Sequence, residues 1–385
     1  MIDPSEYVYF LSYGVISLCL IVAFIRIKSE EGVVITTREF QNFQTGFISG
    51  YSAVILCELI ASASFYHTFV SLHLSLEQIT KLYLTTIIAS TVANLLNEVV
   101  EISSRKEKCI LSAFLYSASM FSIFFGGHYE MLLMGRMVYG VAQALQQNAF
   151  ETYALHEHAS RGFPEDWLSH TFSVLTHTMA LMAALSGIVG QIFAGFGNLG
   201  CVAFCCILFV LVAVYLLVVW EKDVNVPRFM MSGFLYNFNQ AVSSLRSNRQ
   251  MLLLLIVSSL CETSIIIFTF YWAPWLTDLS KEENKHLPYE IIFSSFVISS
   301  MFGNYLFQIF VAKQNLIGVD QIFQILLISS STAYFLGATS STPIVAYLVS
   351  LVVQCCVGMY WPSIGFLRGK IILPELRNTF LLLPK

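Results

Sequence analysis

Charge is scarce in this chain. Acidic and basic side chains make up 11% of its 385 residues, against roughly a quarter in soluble domains. That scarcity excludes two or three soluble domains with hydrated surfaces. Nine cysteines are present, but most lie inside apolar runs (Cys201, Cys205, Cys206, Cys355, Cys356) and no CxxC spacing occurs, so no disulfide framework is expected. No Asn-x-Ser/Thr acceptor occurs, which excludes N-linked sugar attachment. No nucleophile and base share one depth, and the HExxH spacing of zinc hydrolases is missing. An enzyme is therefore not expected, and neither a metal nor another cofactor is called for. The net charge of −4 is spread through loops, and no nucleic-acid partner is expected.

What the chain does have is apolar length. Hydrophobic residues are 56% of it, and runs long enough to cross about 30 Å of hydrocarbon recur throughout. They lie near residues 8–25, 47–70, 79–100, 109–126, 130–153, 170–195, 199–220, 250–276, 288–311, 318–337 and 343–366. The expected fold class is an all-α membrane protein of about eleven transmembrane helices embedded in a lipid bilayer. The first run follows acidic residues and lacks the basic flank of a signal peptide, so it is expected to be retained. Loops after the odd-numbered spans hold sixteen Lys and Arg, while the opposite side has only Lys81, Lys281 and Lys285. That bias places the N-terminus outside and the C-terminus in the cytosol of a multi-pass protein of the cell membrane.

The longest loop, 221–249, divides the chain. Before it lie an extra span with a basic linker (1–46) and a first six-helix half (47–220); after it comes a shorter half of four helices (250–385). A weak repeat links the halves. Leu56-Cys57-Glu58 opens one as Leu260-Cys261-Glu262 opens the other, and Ser90 to Asn94 in the next helix parallels Ser300 to Asn304. Repeated halves with polar groups near the midplane point to a transporter.

Ionisable groups inside spans are costly, and face a bundle interior or a wet path. The stretch from Arg136 to Phe172 carries most of them. Arg136 is either a cationic contact for an anionic substrate, since guanidinium donors suit oxyanions, or an interior pair holding helices together. Glu58 and Glu262 are either acids that take up and release protons or structural partners. Glu151 and His156, with Glu157, His158 and Arg161, form a candidate inner gate. The His-x-His spacing does not make a metal site, because positions i and i+2 point to different faces of a helix. Tyr271 and Tyr360 are candidate lining hydroxyls, with interfacial anchoring as the other reading of the aromatics around Tyr271.

Three segments carry a family resemblance. One is Phe150-Glu151, His156-Glu157-His158, Phe163-Pro164, Trp167 and Thr171-Phe172; the second is Glu262, Phe268, Phe270, Trp272 and Pro274, followed by Ile291 to Phe296. The third is Gly358, Tyr360, Pro362-Ser363, Phe366-Leu367-Arg368, Lys370 and Pro374-Glu375. The chain is similar through these to the major facilitator superfamily, in its molybdate-anion transporter branch (the group called major facilitator superfamily domain-containing protein 5). The loop Asn97 to Lys106 also resembles the superfamily pattern G-x-L-a-D-r-x-G-r-k, with the acid as Glu101 and the basic pair as Arg105 and Lys106. The resemblance runs from about residue 8 to residue 376.

It implies a secondary transporter importing molybdate, a small inorganic anion, by alternating access. The roles of Arg136, Glu58, Glu262, Tyr271 and Tyr360 in binding rest on depth and charge rather than on the motif. So does proton coupling: two ionised carboxylates would repel a dianion. Glu101, Arg105, Lys106, Glu151, His156 and Arg368 are the expected gate and loop residues. No antiport signature of the form gxxxGPxxGG is present. The family continues through two more helices beyond Glu375, whereas this chain ends at Lys385. A truncated, non-transporting isoform or regulator is therefore the alternative reading, beside transport of another small anion. Nothing in the sequence sets an oligomeric state.

Overall fold

The computed structural model describes residues 6–30, 36–99, 104–125, 128–197, 199–220, 249–281, 287–312 and 318–371. Among the described residues there are eleven α-helices, one short 3-10 turn (Ile123–Phe125) and no strand. The helices are α1 Glu6–Glu30, α2 Arg38–Ser71, α3 Leu76–Val99, α4 Arg105–Ser122, α5 Tyr129–Ser160 and α6 Glu165–Ala194. Then follow α7 Gly200–Val219, α8 Arg249–Lys281, α9 Tyr289–Ala312, α10 Val319–Thr339 and α11 Pro343–Ile371. Each expected span is met by a helix.

Ten of the helices have the length and composition to cross a bilayer. The eleventh is α5, which carries Glu130, Arg136 and Glu151. Its polar positions are the reason: Arg136 and Gln146 are buried against neighbouring helices rather than facing lipid.

Several helices outrun the apolar windows that announced them, because their ends are fixed by caps rather than by hydropathy. Thr37 caps α2 by accepting from the Phe40 N–H at 3.4 Å. Ser104 and Glu107 form a reciprocal capping box at the start of α4. The chain turns from α5 to α6 through Gly162, whose φ of +65° is easiest for glycine.

The described helices fall into two compact units, Gly32–Met231 and Met1–Glu31 with Ser232–Lys385. In the first, α5 packs against α3 and α4, while α7 covers α4 and α2 and α6 lies on α2. In the second, α11 packs on α9, α10 and α8, and α1 lies along α9. Tyr9 of α1 meets the Tyr347 ring edge-on at 5.0 Å, and Ser12 Oγ is 2.8 Å from the Tyr347 hydroxyl.

The internal repeat has a packing counterpart. In the first unit, a Cβ on Gly140 of α5 would lie 2.4 Å from the Thr86 carbonyl and 2.9 Å from the Ser90 nitrogen of α3. In the second, a Cβ on Gly358 of α11 would lie 1.8 Å from the Ser300 carbonyl of α9. Ser90 and Ser300 are the matching positions of the sequence repeat. Helix association in lipid relies on such close backbone approach, since lipid tails supply no hydrophobic drive between helices.

Candidate functional site

The expected gate and loop residues are spread over several contacts. Glu101 lies outside the described residues. Arg105 and Lys106 sit in the first turn of α4 rather than in a loop. The buried Lys106 ammonium donates to the carbonyls of Leu217, at 2.9 Å, and Trp220, at the end of α7. A cation there satisfies carbonyls that the helix leaves open and opposes the helix dipole. On α5, Glu151 is exposed and His156 half-buried. Glu157 pairs with Arg161 at 3.2 Å, and His158 packs edge-on to Phe40 and Phe163 with its Nε2 2.9 Å from the Pro164 carbonyl.

The interior of the first unit holds a continuous polar line. Gln146 Nε2 donates to Glu58 Oε2 at 2.8 Å, and Tyr116 and Gln143 border the same carboxylate. The Tyr116 ring stacks on Phe209 at 4.8 Å and meets Tyr139 edge-on at 4.9 Å. Beyond Tyr139 lies Arg136, only 4% exposed. Its guanidinium carbon stands 4.2 Å from the centre of the Phe65 ring, 4.6 Å from Tyr139 and 5.4 Å from Tyr83.

Arg136 has no carboxylate partner among the described residues, and its Nε and Nη1 make no hydrogen bond. Cation–π contacts contribute about 2 kcal/mol or more each when desolvated, against a desolvation penalty of about several kcal/mol for a buried ion. The aromatic cage offsets much of that penalty, but it supplies neither a counter-charge nor acceptors for Nε and Nη1 among the described residues. Further unanswered atoms in the same interior are the Tyr116 hydroxyl and Gln146 Oε1.

The second unit treats its repeated acid differently. Glu262 accepts from Arg368 Nη2 at 2.8 Å and from the Tyr360 hydroxyl at 3.1 Å, all three groups lying on α8 and α11. Three sequence-derived candidates thus meet in one cluster, with the acid's charge answered. Beside them is a cavity of about 170 Å³ whose lining includes Cys261, Ser264, Tyr334, Cys356 and Tyr360. Tyr271 is 49% exposed and stands apart from this cluster.

Tyr116, Tyr139, Gln143 and Gln146 were not among the expected site residues. A signal for three of them was present: Arg136, Tyr139, Gln143 and Gln146 follow at helical spacings of three, four and three, one polar stripe on α5.

An all-helical, many-span chain with polar groups buried in both units has the architecture of a polytopic membrane protein, and the family it matches makes it a membrane transporter. The family model described as "Sugar transporters, 12 TM" (MFS_5) matches residues 7–360, and the chain belongs to this family. A relative in Xenopus tropicalis named "Molybdate-anion transporter" is 27% identical over 379 residues, covering 95% of this chain and 81% of its own. The Xenopus laevis protein of the same name is 28% identical over 351 residues, with 88% and 75% covered. Among solved structures, the nucleoside transporter NupG superposes with a TM-score of 0.69 at 14% identity, covering 89% of this chain and 86% of that one. That likeness establishes the major facilitator fold.

Proposed function

We propose that this chain imports molybdate oxyanion across the cell membrane by alternating access, with the N-terminus outside and the C-terminus in the cytosol. The observation carrying the anion assignment is Arg136, a buried cation whose Nε and Nη1 donate to nothing among the described residues. An oxyanion would supply the missing acceptors and the missing charge together. The names of the relatives give that anion its identity. A neutral sugar would leave the guanidinium charge unanswered.

In this reading Arg136 contacts the anion and Glu58 takes up a proton as the anion enters, because an ionised carboxylate in the same interior would repel a dianion. Glu262 already has Arg368 as a counter-ion. It serves as the anchor that holds Tyr360 and Arg368 against α8, and Glu58 is the better proton carrier. Orientation follows the excess of basic residues in the loops after odd-numbered spans.

The test is tracer molybdate uptake by the full chain in cells lacking their own importer, with sulfate and organic anions as competitors. Saturable molybdate uptake that Arg136→Met abolishes is the expected result. Uptake of sulfate in preference to molybdate would reassign the substrate, and unchanged uptake in Arg136→Met would remove the anion site from this interior. Glu58→Gln is expected to flatten the pH dependence of uptake.

A further inference from the structure

We propose that Tyr116 and Gln146 form a two-position hydrogen-bond switch on Glu58, one arrangement holding the carboxylate and the other the carboxylic acid. The proposal rests on the reading that Glu58 carries the proton.

The atoms left unanswered around Glu58 carry the inference. Gln146 gives its N–H to Glu58 Oε2 at 2.8 Å, the arrangement that suits an ionised acid. The Tyr116 hydroxyl, on a fully buried side chain beside the same carboxylate, makes no hydrogen bond of standard geometry, and neither does Gln146 Oε1. Buried polar atoms without partners are rare and ask for an explanation. Here Gln146 Oε1 is the acceptor that the protonated state needs, and the Tyr116 hydroxyl is a donor that the ionised state can still draw in. When Glu58 gains a proton from solvent, its new O–H needs an acceptor, and a turned Gln146 amide offers Oε1. When the proton leaves, the amide turns back and the Tyr116 O–H becomes a second donor to the negative oxygens. Only rotations and one proton are involved, and no bond other than the carboxyl O–H forms or breaks.

The surroundings leave hydrogen bonds, from this pair and from Gln143, in control. Tyr51 and Cys57 on α2, Tyr116 on α4 and Tyr139 on α5 are the ionisable groups facing Glu58. On α7, Cys205 gives its thiol to the Cys57 carbonyl at 3.5 Å. The buried residues of α6 include no ionisable side chain. The cation in this interior, Arg136, is separated from Tyr116 by the Tyr139 ring. No cation among these neighbours sets the charge state of Glu58, so its hydrogen-bond partners do.

Tyr116→Phe and Gln146→Met each remove a donor from the ionised form while keeping the side chain's bulk. Loss of such a donor raises the proton affinity of an acid. The pH midpoint of molybdate uptake by the full chain in proteoliposomes should therefore move upward by about one unit in each variant. In parallel, the infrared carboxyl band that Glu58→Gln abolishes should persist to higher pH in both variants. That readout needs no transport, so a variant that folds but fails to transport still decides the matter. Tyr116→Phe retains the stack on Phe209, and so keeps the test open if Gln146→Met does not fold. An unmoved midpoint and band in these variants, with Glu58→Gln still flattening the profile, would overturn the switch and leave Glu58 as the carrier. A pH dependence that survives Glu58→Gln would overturn the coupling reading itself, and the switch with it.

Discussion

Arg368 Nη2 donates to Glu262 Oε1 at 2.8 Å, with only 11% and 9% of the two side chains exposed. The pair ties the end of α11 to the middle of α8. Removing one partner of such a pair strands the other charge away from water, at a cost of about 3 to 5 kcal/mol. Arg368→Ala should therefore lower the thermal midpoint of the purified protein markedly. The double variant Arg368→Met with Glu262→Gln should regain much of the loss, because no unpaired ion remains. Equal melting of the single and double variants would show that the pair is not the source of the stability.

Arg136 should behave in the opposite way. It is a buried cation without a counter-ion among the described residues, so replacing it by Met removes desolvated charge rather than stranding one. Thermal stability is expected to hold or rise while molybdate uptake is lost. A structural Arg would show the reverse, with melting falling and uptake following expression level.

The crossing of α9 and α11 leaves no room for a methyl group at Gly358, where an added Cβ would stand 1.8 Å from the Ser300 carbonyl. Backbone cannot swing aside as a flexible side chain can. Gly358→Ala should destabilise the second unit by about 1 to 3 kcal/mol, the usual range for overpacking. Gly365, with nothing within 4 Å of an added Cβ, is the control position on the same helix and should accept Ala with little change in melting.

Lys106→Met tests the contact between α4 and the end of α7. The ammonium serves the carbonyls of Leu217 and Trp220, and hydrogen bonds to a charged donor contribute about 1.5 to 3 kcal/mol. Loss of stability of that size is expected, together with faster amide exchange in the last turn of α7. Exchange that rises uniformly along α7 would point instead to a general loosening of the unit.

The helices were legible in the sequence because apolar length is read directly by a bilayer, and all eleven appear. Their ends were less so, since Thr37 and the Ser104–Glu107 box act through backbone geometry that hydropathy windows do not register. Within the site, Arg136, Glu58 and Glu262 announced themselves by charge at depth. What charge alone could not tell is which acid has a counter-ion. Arg368 lies far from Glu262 in the chain, and only the meeting of α8 with α11 makes them a pair. Tyr116 carried no signal, because a lone tyrosine in an apolar span is ordinary; its meaning comes from the Glu58 carboxylate it borders.

The grouping of α1 with the far end of the chain bears on how the protein is made. A ribosome releases α1 long before α9, along which it lies, and α11, whose Tyr347 receives Tyr9 and Ser12; the Ser12–Tyr347 contact spans 335 residues of chain. Contacts so distant along the chain form late and slowly. After its synthesis α1 must therefore wait in the bilayer without these partners, and it docks only once α9 and α11 have followed it.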